Sequence, residues 1–244
     1  MEREEFSKEL TILLNELNIK IENDKVEEFY IYMNMLLEWN EKINLTAITE
    51  PKEIILKHFV DCGTALKYLN EKNKILDLGT GAGFPGIPLK ILNPQLNITL
   101  VDSLNKRINF LNEVIGKLKL DNIRAVHSRA EDLSRDKEYR ESYDIILSRA
   151  VANMSVLLEY TLPFLKIGGK CVCMKGPNIE EELNNCKKAL NILGGEIENI
   201  ENIKLPNSDI ERNIIIVKKI KQTPKQYPRK AGKPSKEPIM WVKE

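Results

Sequence analysis

The chain has 244 residues, 42% hydrophobic and 30% charged, with a formal net charge of +1. That balance excludes a disordered or low-complexity chain and leaves room for one large domain, or one domain with an appendage. No apolar run reaches the roughly 20 residues that a membrane span requires, and the start "MEREEFSKEL" is too charged for a signal peptide, so a cytoplasmic protein is expected.

Apolar residues recur at helical spacing over 4–18 (Phe6, Leu10, Leu13, Leu14, Leu17) and over 24–39 (Val26, Phe29, Tyr30, Met33, Leu36, Leu37), which predicts two amphipathic helices. Asp24 is the expected cap of the second. "NEKINLTAIT" breaks the pattern and closes a small helical unit near residue 50. A third helix is expected from Pro51 to about Leu69, carrying His58 and Asp61 one turn apart.

From Lys74 the texture changes. Short apolar runs, "KILDLG", "ITLVDS", "IRAVHS", "YDIILSRA" and "KCVCMKG", alternate with helical patterns at 86–92, 105–118, 131–139, 151–165 and 178–192. Such alternation predicts βαβ crossovers and a parallel sheet with helices on both faces. Cys171 and Cys173 alternate within the last of these strands and read as two small buried thiols on one face. With Cys62 and Cys186 they form no CxxC pair, and two histidines are too few to complete a zinc site, so neither a metal nor a disulfide framework is expected. "EIENIENIKLP" and "ERNIIIVKK" then follow with no helix between them and predict an antiparallel hairpin at the sheet edge. Between Lys218 and Glu244 nine Lys or Arg stand against two Glu, leaving the rest of the chain net acidic. A local basic tail on an acidic body points to a polyanionic partner met at one place.

The stretch "LDLGTGAGFPGIPL" places Gly79, Gly81, Gly83 and Gly86 at the carboxyl end of the first parallel strand, where open α/β sheets bind ligands. Residues 81–86 also satisfy G-x-G-x-x-G, and Asp102 ends the next strand, so a nicotinamide or flavin dinucleotide competes with S-adenosylmethionine. An acid two residues before the first glycine favours S-adenosylmethionine. So does Pro85, which offers no N–H where a pyrophosphate seat would need one.

"LDLGTGAGFPGIPL", "VDSLNKRINFL", "RAEDL", "SRAVA" and "YPRKAGKPSKEP", with "NLTAI" and "HFVDC" upstream, resemble, in this order, the RsmG (GidB) family of bacterial 16S rRNA methyltransferases. The likeness spans nearly the whole chain. It departs at Cys62, where serine is expected; a thiol is the weaker hydrogen-bonding group. The resemblance implies an α/β fold, specifically the Rossmann-like class I S-adenosylmethionine-dependent methyltransferase fold. This is a mostly parallel seven-stranded sheet with a C-terminal antiparallel hairpin and an N-terminal helical extension. The expected division is a helical extension over 1–50, the methyltransferase domain over 51–220 and a basic RNA-binding segment over 221–244, forming one structural unit. It further implies transfer of a methyl group to N7 of one guanine in 16S rRNA, alone or in the small ribosomal subunit, by a monomer that uses neither metal nor membrane.

N7 of guanine carries a lone pair and no proton, so no catalytic side chain is expected; proximity and orientation suffice. Gly79, Gly81 and Phe84 are assigned to the methionine end of the cofactor, Asp102 to the ribose, and Ala130 and Glu131 to the adenine. Arg149, at the end of the fourth strand, is marked by the resemblance as a ligand-binding position. Asp77 either takes the cofactor's amino group or caps the neighbouring turn. Lys175 either approaches the substrate site or is a solvated lysine. His58 and Asp61 form a hydrogen-bonded pair at the substrate mouth, or His58 is a structural histidine. Lys106 and Arg107 are RNA contacts or a solvated helix start. In the tail, Arg229, Lys230, Lys233 and Lys236 are suited to phosphate, and Tyr227 to stacking on a base.

Overall fold

A computed structural model describes residues 1–240. Two helices, α1 (Arg3–Glu16) and α2 (Asn23–Asn40), lead into a helical run made of α3 (Pro51–Ile54), a π-helical stretch (Ile55–Val60) and α4 (Asp61–Gly63). Five strands follow with their crossovers: β1 (Lys74–Leu78), α5 (Gly86–Leu92), β2 (Asn97–Asp102), α6 (Asn105–Lys117), β3 (Ile123–His127), α7 (Ala130–Leu133), β4 (Tyr143–Arg149), α8 (Met154–Thr161) and β5 (Leu165–Lys175). Helices α9 (Glu180–Asn185) and α10 (Lys187–Leu193), the hairpin β6 (Gly195–Lys204) and β7 (Glu211–Lys219), and the short α11 (Lys233–Lys236) follow.

The sheet order is β3-β2-β1-β4-β5-β7-β6; β1 to β5 run parallel, while β7 lies antiparallel between β5 and β6. The expected α/β architecture, hairpin included, is the observed one. Consecutive strand residues feed opposite faces. Ile75, Leu100, Ile145, Val172 and Ile214 join one apolar cluster, and Leu76, Val101, Ile146, Cys173 and Ile215 the other. The inner strands, buried on both faces, have no polar side, which is why they read as continuous apolar runs; the edge strands β3 and β6 are more exposed. Cys171 and Cys173 lie together in the second cluster, their sulfurs 3.4 Å apart.

The N-terminal helices cover the first face. Phe6, Phe29, Tyr32 and Phe59 pack ring against ring there, and the buried Tyr32 hydroxyl donates to the Ala82 carbonyl at 2.5 Å, tying α2 to the glycine loop. Three local expectations are corrected. Asp24 lies inside the first turn of α2, which starts without a side-chain cap. The helix expected over 131–139 shrinks to the single turn α7, whose backbone passes into successive turns through Arg140. The helix expected over 178–192 is broken at Cys186, between α9 and α10. No helix among the described residues is long and apolar enough to cross a membrane. The basic segment is described through Met240; the last four of its expected residues lie outside the described chain.

Candidate functional site

The glycine loop is built inward from Asp77, the fully buried penultimate residue of β1. Its Oδ2 accepts the Thr80 hydroxyl at 2.6 Å and the Gly86 N–H at 2.8 Å, closing the loop onto the strand. Of the two readings of Asp77, the turn cap is therefore realised; its Oδ1 is buried without a partner. Burial raises the carboxyl to about 6. Gly79 holds φ +70°, and a Cβ there would stand 2.7 Å from Val151, so no other residue fits. At Gly86 a Cβ would meet Leu100 at 2.3 Å, which is how α5 comes to lie close against β2.

Outside this turn a cavity of about 420 Å³ opens at the carboxyl ends of β1 and β2. Gly79, Asp102, Ala130 and Glu131, four of the residues assigned to the cofactor, all line it; Tyr160 of α8 and Gly232 of the C-terminal segment, which the sequence did not single out, stand in the same wall. Asp102 is 3% exposed and accepts the Gly81 and Leu104 N–H groups, each within 3.0 Å, with Arg107 at 3.2 Å. A carboxylate offers about four acceptor positions, so one remains for a ligand hydroxyl. Gly81 thus touches the site through Asp102, and Arg107, which also lines the cavity, serves as its counter-ion. Lys106 is exposed.

Phe84 and Arg149 stand elsewhere, in a polar cluster under the loop. The Phe84 ring stacks on His58 with centroids 4.4 Å apart, and the Arg149 guanidinium lies over the same ring at 4.9 Å. Arg149 donates to the Lys57 carbonyl at 2.9 Å, to Asp61 Oδ2 at 3.2 Å and to His58 Nδ1 at 3.1 Å. His58 and Asp61 are therefore joined through Arg149, not to each other. Nδ1 also lies 3.1 Å from the Lys57 carbonyl, and Nε2 meets Thr46 Oγ1 at 2.9 Å, so both ring nitrogens are engaged inside the fold. Burial, seconded by Arg149, lowers His58 to about 3 and keeps it neutral. Cys62 is fully buried and its thiol is pushed up by the same burial, so it acts as a small apolar group.

Lys175 is neither solvated nor free: 9% exposed, it donates to the Ala152 carbonyl and to Glu182 Oε2, each at 2.6 Å. In the tail Lys230, Lys233 and Lys236 are exposed and Tyr227 is half-buried. Arg229 is already engaged by the buried Glu159 at 2.7 Å. Glu159, Tyr160 and Gly232 escaped sequence reasoning because α8 reads as apolar and their partners lie 70 or more positions away.

The loop also decides between the two cofactor classes. A pyrophosphate would need the free N–H groups of a helix N-terminus. Here Gly83 and Phe84 donate to the Thr80 carbonyl, Gly86 to Asp77 and Ile87 to the Gly83 carbonyl, so these donors are spent. Asp102, with an acceptor position left over, suits a ligand diol. Fold and site together are those of the class I S-adenosylmethionine-dependent methyltransferases. Solved structures agree on the fold: M. jannaschii TYW2 in complex with AdoMet aligns with a TM-score of 0.51 at 18% identity, covering 66% of this chain and 75% of that one. A SAM-dependent methyltransferase from Aquifex aeolicus also gives 0.51, at 19% identity, covering 74% and 97%.

Within that class the chain belongs to the GidB family, rRNA small subunit methyltransferase G, whose sequence profile matches residues 8–215. Curated relatives named ribosomal RNA small subunit methyltransferase G include one from Alkaliphilus oremlandii, 54% identical over 225 residues (91% of this chain, 94% of the relative). Others come from Desulforamulus reducens, 54% identical over 237 residues (95% and 99%), and Clostridium perfringens strain 13, 51% identical over 225 (91% and 94%). The protein is thus an enzyme of small-subunit rRNA methylation.

Proposed function

We propose that the protein transfers a methyl group from S-adenosylmethionine to N7 of one guanine in 16S rRNA, in the cytoplasm and as a single chain. The observation that carries this reading is the cavity beside the self-satisfied glycine loop, bordered by a segment with three exposed lysines.

When bound, S-adenosylmethionine supplies an electrophilic methyl group on a sulfonium sulfur. Asp102 holds a ribose hydroxyl through its remaining acceptor position. Gly79 and Gly81 let the backbone approach the methionine end, and Ala130 and Glu131 flank the adenine. Phe84 and Arg149 support this end of the site from beneath the loop, Arg149 by fixing His58 and Phe84 in place. N7 needs no base to activate it. This agrees with a His58 that is neutral, bonded at both nitrogens and unavailable for proton transfer. The chain's own contribution is then positioning, which supplies up to about 7–11 kcal/mol of the barrier. Lys230, Lys233 and Lys236 contact phosphates and Tyr227 stacks on an unpaired base. Reaching N7 in a folded RNA requires an unstacked guanine, with recognition on its other edge and its faces.

The test is thermal unfolding with S-adenosylhomocysteine and, separately, NAD, each at 100 times a plausible Kd, where binding adds about 2.7 kcal/mol. Stabilisation by S-adenosylhomocysteine alone, followed by mapping a single N7-methylated guanine in 16S rRNA, is expected. Stabilisation by NAD alone overturns the assignment.

A further inference from the structure

Two consecutive residues of α8 do different work. Tyr160 lines the cofactor cavity, while Glu159, 0% exposed, points to the C-terminal segment. Glu159 accepts the Arg229 backbone N–H at 2.8 Å and takes the guanidinium in a fork, with Nε at 2.9 Å and Nη2 at 2.7 Å. Nη2 also donates to the Glu237 carbonyl at 2.7 Å, so most of the donors of Arg229 are consumed inside the fold. Two further links follow along the segment. The Gly232 N–H donates to Glu131 Oε1 at 3.0 Å, and Ser235 meets the Tyr160 hydroxyl at 2.9 Å. Gly232, between the exposed Lys230 and Lys233, is itself part of the cavity wall.

We propose that Arg229 is a positioning residue: by filling the fork of Glu159 it seats residues 229–237 as the outer wall of the cofactor cavity. RNA engagement by the neighbouring lysines and retention of the cofactor are thereby coupled. The inference rests on reading the cavity as the cofactor site and the segment as the RNA contact. Because coupling between two bound ligands is reciprocal, RNA held by Lys230, Lys233 and Lys236 tightens the cofactor by the same factor by which the cofactor tightens RNA. Lysine could not replace Arg229, since it cannot fork onto a carboxylate.

The test uses the full chain, S-adenosylhomocysteine in calorimetry, and a 16S rRNA fragment titrated at several salt concentrations. Removing Arg229 alone would strand a buried charge, so the first variant is Glu159→Met with Arg229→Met, an apolar replacement of the pair. The second, Ser235→Ala, deletes the hydroxyl that meets Tyr160 and leaves the fork intact. Both are expected to weaken S-adenosylhomocysteine about 5-fold or more without changing the salt slope of RNA binding. A triple Lys230→Ala, Lys233→Ala, Lys236→Ala variant should do the reverse. It should keep cofactor affinity in the absence of RNA and lower the slope by about 2, at about 0.7 per phosphate contact on a single strand. Wild-type cofactor affinity in both wall variants, or a salt slope that falls with Arg229, overturns the proposal and makes Arg229 a phosphate contact. Failure of the wild type itself to bind S-adenosylhomocysteine would instead overturn the cofactor reading beneath it.

Discussion

Asp77 and His58 are buried close to the same loop and pull the pH dependence of stability in opposite directions. The Asp77 carboxyl, raised from 3.8 to about 6, binds its proton more readily in the folded chain. Its contribution is therefore full at low pH and is lost as pH rises through about 6. His58, lowered from 6.5 to about 3, does the opposite: its contribution is present above 6.5 and is lost as pH falls toward 3. Asp77→Asn keeps an acceptor for Thr80 and Gly86, so it should fold and lose stability more steeply on acidification than the wild type. His58→Gln should lose it less steeply. Urea midpoints at a series of pH values between about 4 and 6 check both, and parallel curves would contradict the burial argument. At Asp102, replacement by Ala removes the acceptor for Gly81, Leu104 and the proposed ribose hydroxyl together. Calorimetry should show S-adenosylhomocysteine weakened about 10- to 100-fold, from the roughly 1.5–3 kcal/mol of a hydrogen bond to a charged group. At this scale the sequence was readable where chemistry depends on residue type alone. Gly79 and Asp102 could be placed from their positions at strand ends, whereas the partners of Arg149 could not, because Lys57, His58 and Asp61 are about 90 positions away.

Among the elements, α2 has the least obvious role, because nothing in its apolar stripe distinguishes a core helix from a support for the loop. Tyr32 makes the difference through its buried bond to the Ala82 carbonyl. Tyr32→Phe leaves that carbonyl buried and unpaired, at a cost of about 1–2 kcal/mol in denaturant unfolding. A loss of S-adenosylhomocysteine affinity should accompany it if α2 holds the loop's shape. The inner strands were legible because strands covered on both faces write themselves as unbroken apolar runs. The failures came where helices are short. α7 ends after one turn and α9 gives way to α10 at Cys186, and neither break carries a glycine or proline to announce it. Tertiary contacts decide such ends, since an isolated helix of this length is marginal in water.

For the molecule as a whole, the charge asymmetry has a structural counterpart. The basic segment is strapped to the body by Arg140, which donates to the Thr223 and Tyr227 carbonyls, by Arg135 at the Pro228 carbonyl, and by the Arg229–Glu159 fork. Its exposed lysines are thus carried on an anchored backbone. The N-terminal helices share one apolar cluster with the sheet, so a single cooperative unfolding transition is expected. Far-ultraviolet circular dichroism, which follows the backbone, and near-ultraviolet signal from the aromatic cluster should coincide; separated midpoints would show that the extension folds as its own unit. The sequence by itself determined the α/β order, the glycine turn and its acid, the basic tail and the family. Each of these is a local pattern, set by side-chain periodicity, by the absence of Cβ or by charge. Only the tertiary structure decided that Arg149 braces His58 and Phe84, that Lys175 is paired, and that the tail closes the cavity through Gly232. Those arrangements are contacts between distant positions, which exist only once hydrophobic burial has brought the elements together.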